Sequence, residues 1–201
     1  MTASDTLSRF EPVSMQLQAS DPIAFARQLG LSFREFGFAA ISDHGLDQNL
    51  IDQTVKLGAE FFALPTDVKN SYFRTDLHGA RGYTPFGTEI AKGASHVDLK
   101  EFWHVGRDLP NGHPYADLMA GNLIPSEIEG WKETVHGLYA AFDALGAKVL
   151  SAIAIDLGLN KDFFVDTVRD GNSVMRLLHY PPTEGDTSQS IRAEAHEDIN
   201  T

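Results

Sequence analysis

The chain has 201 residues, of which 42% are hydrophobic and 22% are charged, and its formal net charge is −12. This composition predicts a globular protein of one domain, or of one domain with a helical extension, with a core that needs no disulfide or structural metal. The absence of cysteine excludes thiol catalysis and thiolate zinc sites. The acidity argues against nucleic acid or an anionic membrane as the main partner.

The N-terminal sequence contains no sign of export. MTASDTLSRFEPVSMQ lacks a basic region followed by an apolar run, so no signal peptide is predicted. No stretch approaches the roughly 18 apolar residues of a membrane span, so no membrane partner is expected. Together with the lack of cysteine, this favours a cytoplasmic protein.

The first half of the chain alternates helical patterns with short apolar runs. Residues 1–20 have no clear periodicity and predict an extended or poorly ordered segment. The predicted elements that follow are a helix from Asp21–Pro22 to Gly37, a buried strand at 38–42, a turn at Asp43–Gly45, a helix from Asp47 to Leu64 and loops with one short helix over 66–95.

The second half begins with an alternating segment and contains the strongest helical pattern. The predicted elements are a strand from Ser95 with Val97, Leu99, Trp103 and Val105 on one face, a loop over 106–125, a long helix from a capping box at Ser126 and Glu129 to Gly158, a short helix around 161–168, a strand at 173–180, a polar loop, and a further strand over 191–200. At 1.5 Å per residue the long helix would extend roughly 45 Å.

One pair of residues has the spacing of metal ligands. His196 and Asp198 would point to the same side of a strand, and two histidines with one carboxylate form the facial triad of non-haem iron(II) oxygenases. The spacing alone is weak evidence, because His96 and Asp98 share it. His104 cannot complete that second pair, since six residues of strand place it roughly 20 Å from Asp98.

The order of several segments resembles the isopenicillin N synthase-like oxygenases. These segments are FREFGFAAISDHGL, AEFFALPTDVK, RGYTPFGTE, DLKEFWHV, VMRLLHYPP and AHEDIN. The resemblance covers nearly the whole chain from about residue 21. It implies an α+β fold in which a helical N-terminal region packs on a double-stranded β-helix, or jelly roll, of which this chain holds the first part. It also implies an iron(II) oxidoreductase that uses 2-oxoglutarate and O2 to oxidise a small molecule, by hydroxylation or desaturation, with release of succinate and CO2.

The resemblance also assigns residues. His196 and Asp198 correspond to the first histidine and the carboxylate of the iron site, and Tyr180 to a tyrosine that reaches a cosubstrate or substrate carboxylate. His179 and Arg176 would line the same pocket. The remaining expected substrate-side residues are Arg81, Tyr83, Phe102 and Trp103.

The family pattern extends past the 201 residues. Its second histidine, and the Arg-x-Ser that holds the far carboxylate of 2-oxoglutarate, lie tens of residues beyond the His-x-Asp motif. We therefore expect a fragment of the oxygenase that is inactive by itself, with open sheet edges that allow self-association. The expected segments are a dioxygenase N-terminal region at 1–125, a scaffold helix with a short helix at 126–170 and the start of the jelly roll at 171–201.

Three alternatives stay open. The chain could be a non-catalytic binding or assembly module that keeps half of the fold. It could belong to an oxidase of the same family that works without 2-oxoglutarate. A zinc hydrolase using His196, Asp198 and Glu197 ranks last, because Glu197 would point away from the ion on a strand.

Overall fold

A computed structural model describes residues 10–77, 80–88 and 98–182. The elements are β1 (Val13–Ser14), α1 (Met15–Ser20), α2 (Pro22–Phe36), β2 (Ile41–Ser42), α3 (Gln48–Phe62), α4 (Thr66–Asn70), a 3-10 turn (Thr75–Leu77), β3 (Gly82–Thr84), β4 (Glu101–Gly106), a π-helical turn (Lys132–His136), α5 (Gly137–Asp156), α6 (Val165–Val168) and β5 (Val174–His179). Helices and sheets therefore occur together, as an α+β fold requires.

The chain divides into two compact units that interleave along the sequence. The first contains residues 1–48 and 140–171, and the second contains residues 49–139 and 172–201. The three segments expected from the sequence stay a prediction.

The first unit is built around α2. The Asp21 carboxylate accepts a hydrogen bond of 2.9 Å from the Ala24 amide, and Gly37 ends the helix in the left-handed conformation, as the sequence predicts. Phe25 and Leu29 of α2 are fully buried in a core that includes Ala152 of α5. β1 pairs in parallel with β2. β1 and α1 were not predicted, because they are too short to show a periodicity.

The second unit is built on an antiparallel sheet. The strand order is β3–β4–β5, with β4 in the centre. The fully buried Phe61 of α3 packs edge-on against Trp103 of β4, with ring centroids 4.7 Å apart, and Trp131 joins the same core. β3 was not predicted, whereas β4 and β5 were. In β4 the regular strand begins at Glu101, and the earlier part of the predicted strand, 95–97, lies outside the described residues.

The expected cap of the long helix was wrong. Ser126 and Glu129 do not cap it, because Gly130 has a φ of 74° and interrupts any right-handed helix there. The Ser126 amide donates instead to the Tyr72 hydroxyl at 2.9 Å. The helix over Lys132–Asp156 is also long and apolar enough, by length and composition, to cross a membrane. One such helix is weak evidence for a membrane span, because core helices of globular proteins meet the same criterion. In this helix 17% of the apolar window is buried, and Ala152 lies in the first unit's core.

Candidate functional site

The antiparallel sheet of the second unit presents two different faces. Side chains alternate along each strand, so residues that are paired in register share a face. The core face, which packs in the hydrophobic core, carries Tyr83, Glu101, Trp103, Val105, Met175, Leu177 and His179. The arginine face, on the other side, carries Thr84, Phe102, His104, Gly106, Arg176 and Leu178.

The core face contains a buried polar network centred on the Glu101 carboxylate. Its Oε2 accepts a hydrogen bond from Lys69 Nζ at 2.8 Å and a short one from the Tyr83 hydroxyl. Its Oε1 lies 2.8 Å from Nδ1 of His179, whose ring stacks on Phe62 with centroids 5.0 Å apart. Lys69 Nζ also donates to the Phe62 carbonyl at 3.0 Å. One carboxylate thus ties together α3, α4 and all three strands.

The network sets the protonation of its members. Burial alone would raise the pKa of the Glu101 carboxyl, but hydrogen bonds from Lys69, Tyr83 and His179 together hold that pKa below its ordinary value. Burial raises the pKa of the Tyr83 hydroxyl, and its hydrogen bond to Glu101 raises that pKa further. Both groups therefore keep one charge state, ionised for Glu101 and neutral for Tyr83, over the physiological pH range.

The arginine face gathers cations around one aromatic ring. The guanidinium carbon of Arg176 lies 5.1 Å from the centroid of the Phe102 ring, and Lys100 Nζ lies 5.9 Å from it. The His104 ring packs against Phe102 with centroids 4.8 Å apart. Lys100 also pairs with Asp98 at 2.9 Å. Arg176 itself is exposed, in a chain that is strongly acidic overall.

Arg81 adds a second guanidinium to this face. A Cβ placed on Gly106 would lie 2.0 Å from the guanidinium carbon of Arg81, so the glycine leaves the space that this group fills. Arg81 is only 1% exposed. It donates to the Ala80 carbonyl and to Asn172 Oδ1, each at 2.7 Å, while its Nε is buried without a hydrogen-bond partner among the described residues. Burial lowers its pKa from the ordinary value.

Residues 9–127 match the family model described as the N-terminal region of the non-haem dioxygenase in morphine synthesis. The chain belongs to this family. The match confirms the resemblance to isopenicillin N synthase-like oxygenases, which rested on the order of segments in the sequence.

Relatives of this non-haem dioxygenase family agree with the match. A 2-oxoglutarate-Fe(II) type oxidoreductase of Aspergillus fumigatus is 29% identical over 172 residues, which are 82% of this chain and 51% of that protein. The crystal structure of a 2OG-Fe(II) oxygenase family protein from Caulobacter crescentus is 54% identical with a TM-score of 0.85, and the match covers 96% of this chain and 62% of that one. A full-length protein of Neurospora crassa, solved in complex with alpha-KG, is 25% identical with a TM-score of 0.71, covering 86% and 54%. The chain therefore spans about half to three fifths of the length of these relatives.

The structure divides the predicted substrate-side residues of this chain between the two faces. Phe102 and Arg176 come together on the arginine face, where the Arg176 guanidinium lies over the Phe102 ring. Arg81 lies apart from them, at Gly106 near the other end of β4. Tyr83 and Trp103 instead face the hydrophobic core, where Trp103 is fully buried and the Tyr83 hydroxyl is bound to Glu101.

The remaining predicted residues lie at or beyond the end of β5. Tyr180 directly follows the strand and is half-buried. His196 and Asp198, the expected iron ligands, and His96 lie outside the described residues. Within residues 10–77, 80–88 and 98–182, no three histidine, aspartate or glutamate side chains are grouped closely enough to hold a metal ion.

Several contributors to the two faces were not predicted as site residues. Gly106 and Asn172 fix Arg81, and Lys69 and Glu101 anchor the core face. Strand alternation could have separated Glu101 and Trp103 from Phe102. Nothing in the sequence pattern indicates that Gly106 and Asn172 meet the same guanidinium, because that contact depends on strand register.

Proposed function

We propose that this chain is the N-terminal part of a non-haem iron(II) and 2-oxoglutarate-dependent oxygenase. The enzyme would oxidise a small molecule, by hydroxylation or desaturation, and release succinate and CO2. The observation that carries the proposal is the 54% identity and TM-score of 0.85 to a 2OG-Fe(II) oxygenase family protein over 96% of this chain. The family match at residues 9–127 supports it independently.

In this proposal two iron ligands lie near residue 201 of this chain. The third lies in the part of the longer relatives that this chain does not match. His196 and Asp198 would supply one imidazole and one carboxylate, and a second histidine would complete the facial triad. Iron(II) held in this way supplies the oxidative chemistry when 2-oxoglutarate and O2 bind. The first strands of a jelly roll would correspond to β3, β4 and β5.

The described residues would orient the small molecules. Tyr180 and Arg176 would contact a carboxylate of the cosubstrate or substrate, with Phe102 beside them. Arg81 is buried beside Gly106, so it would contribute a fixed positive charge without touching the small molecule. Tyr83 and Trp103, which the resemblance assigned to the substrate side, would hold the strand positions through the core face.

The test compares two proteins: the 201-residue chain, and a protein that continues past residue 201 to the length of the relatives. With iron(II), 2-oxoglutarate and O2, we expect the longer protein to form succinate and the 201-residue chain to form none. In the longer protein His196→Ala and Asp198→Ala should abolish both succinate formation and iron(II) binding, whereas His113→Ala should not. Full iron binding by the His196→Ala variant would contradict the proposed site.

A non-catalytic assembly module is the second candidate. In the described part of the chain β5 pairs with β4 alone, and its Val174 and Leu178 are 41% and 48% exposed. Exposed apolar side chains on such a strand favour pairing with another chain. Sedimentation of the 201-residue chain would show association that rises with concentration and is lost in Leu178→Lys.

The cellular location and the alternative of an oxidase without 2-oxoglutarate both come from the sequence alone. A cytoplasmic location is supported by the absence of cysteine. An oxidase that works without 2-oxoglutarate would be recognised by turnover of its substrate without succinate formation.

A further inference from the structure

A turn in the loop that follows β4 presents an asparagine directly before a glycine. Asn111 and Gly112 are the one Asn-Gly pair in the 201-residue sequence. They form the tip of a turn that the His113 amide closes on the Pro110 carbonyl at 3.1 Å, and Gly112 has a φ of 80°. Both residues are exposed, which is typical of a loop tip.

The chemistry of an asparagine side chain depends on the backbone amide that follows it. The backbone nitrogen of the next residue can attack the side-chain amide carbon, and a glycine favours this attack because no Cβ crowds its nitrogen. The new C–N bond closes a succinimide ring, and the side-chain nitrogen leaves as ammonia. Water then breaks either C–N bond of the ring, which gives an aspartate or an isoaspartate. The conversion therefore consumes one water and needs no oxidant or cofactor.

The groups that react at Asn111 are not held in place by the described part of the chain. Within residues 98–182 and the other described ranges, neither the Asn111 side chain nor the Gly112 amide makes a hydrogen bond. A Cβ placed on Gly112 would meet no atom within 4 Å, so the space around the peptide is open. Opening of the single bond from His113 to Pro110 frees this peptide to rotate, and such local opening is frequent in exposed loops.

Two other asparagines of the same unit have side chains that are held. Asn122 Nδ2 donates to the Gly106 carbonyl at 2.7 Å, and its Oδ1 accepts from the Gly106 amide at 2.8 Å. Asn172 Oδ1 accepts from Arg81 at 2.7 Å. Neither asparagine is followed by a glycine. Asn111 therefore differs from both in its neighbour and in the freedom of its side chain.

We propose that Asn111 is a site of spontaneous deamidation in the folded chain, because its open turn leaves the reacting groups free to form the succinimide. The conversion adds one negative charge to a chain whose formal net charge is −12. The isoaspartate product also inserts a methylene group into the backbone of the loop. The inference is independent of the proposed oxygenase function, since the reaction requires neither iron nor 2-oxoglutarate.

The test incubates the folded 201-residue chain in water enriched in heavy oxygen and then digests it with trypsin. The tryptic peptide 108–132 contains both Asn111 and Asn122, so one fragment carries the site and its internal control. We expect Asn111 to become an acid that contains heavy oxygen, as a mixture of aspartate and isoaspartate that electron-transfer fragmentation distinguishes. Asn122 should stay an amide. Asn111→Gln should also stay an amide, because its longer side chain would have to close a larger ring.

The matched control is Asp170→Asn, which places a second Asn-Gly pair in a backbone that is held. The Gly171 amide donates to the Val168 carbonyl at 3.1 Å, and a Cβ on Gly171 would lie 3.3 Å from the Thr167 carbonyl oxygen. In the folded chain the new asparagine should convert about tenfold more slowly than Asn111, because its glycine amide must first break a hydrogen bond. In the chain unfolded by urea, the two pairs should convert at similar rates.

Three results would overturn the proposal. If Asn111 keeps its amide in the folded chain while the unfolded chain converts, the turn protects the asparagine. Equal rates at the two Asn-Gly pairs in the folded chain would mean that the open turn does not determine the reaction. Formation of aspartate without isoaspartate would exclude the succinimide ring.

Discussion

The two faces of the β3–β4–β5 sheet use charged residues in opposite ways. On the core face, Glu101 accepts hydrogen bonds from Lys69, Tyr83 and His179, so the carboxylate and its partners are matched within the fold. On the arginine face, Arg81 is buried without a carboxylate partner among the described residues, and Arg176 is exposed over Phe102. The first arrangement holds strands together, whereas in the second the Arg81 guanidinium is hydrogen-bonded only to uncharged oxygens of Ala80 and Asn172 among the described residues. Substitutions on the two faces should therefore have very different effects on stability.

The largest effect is expected from Glu101→Ala. The substitution leaves the ammonium of Lys69 without its carboxylate in a site where the two side chains are only 10% and 5% exposed. Breaking one partner of such a buried pair costs about 3–5 kcal/mol. The free energy of unfolding in urea measures this cost.

The control is Glu60→Ala, which removes the carboxylate of an exposed pair, Lys56–Glu60, at 3.8 Å. It should change the free energy of unfolding by no more than about 0.5 kcal/mol. Replacing Glu101 by Leu and Lys69 by Met together should recover part of the loss, because no buried charge then remains. Similar losses for Glu60→Ala and Glu101→Ala would contradict the expected difference between the buried pair and the exposed pair.

The Glu101 carboxylate predicts how the free energy of unfolding depends on pH. Its folded pKa is below the ordinary value of 4.5, so the unfolded chain binds the proton more readily. The stabilisation from Glu101 is therefore complete above that value and is lost as the pH falls below it. Between pH about 5 and about 3, the native chain should lose more unfolding free energy than Glu101→Gln. A steeper loss in the variant would contradict the lowered pKa.

Gly106→Ala tests how Arg81 is held. The new Cβ would lie 2.0 Å from the guanidinium carbon, so the arginine must leave its position. Such overpacking costs about 1–3 kcal/mol. Gly121→Ala is the matched control, because nothing lies within 4 Å of its Cβ position, and its unfolding free energy should stay within about 0.5 kcal/mol of the native value. If the two variants were equally stable, Arg81 would not be fixed by Gly106.

These contacts also show how far the sequence could predict the molecule. Alternation in β4 correctly placed Trp103 and Val105 on one buried face, and Asp21 and Gly37 correctly bounded α2. β3 was missed because three residues are too few to show alternation. The expected cap at Ser126 was wrong because a left-handed Gly130 is not recognisable from its identity alone.

The candidate site was less predictable than the fold, since it depends on contacts between distant parts of the chain. The resemblance indicated Arg81, Phe102 and Arg176, but it also indicated Tyr83 and Trp103, which face the core. Alternation along β4 separates Phe102 from Trp103, whereas the position of Arg81 depends on its contacts with Gly106 and Asn172. The tertiary contact of Arg81 with Asn172 joins residues 91 positions apart, and no local pattern encodes it.

Apart from the control variants, the smallest effect on stability is expected from Arg176→Met, on the arginine face. The side chain is exposed, and the substitution removes the packing of its guanidinium over Phe102 at 5.1 Å. An exposed contact of this kind contributes about 0.5–1 kcal/mol, and the methionine retains part of the apolar packing. The variant should therefore unfold at nearly the native urea concentration. A loss as large as that of Glu101→Ala would mean that Arg176 serves the fold, whereas a small loss is what a residue that serves ligand binding would show.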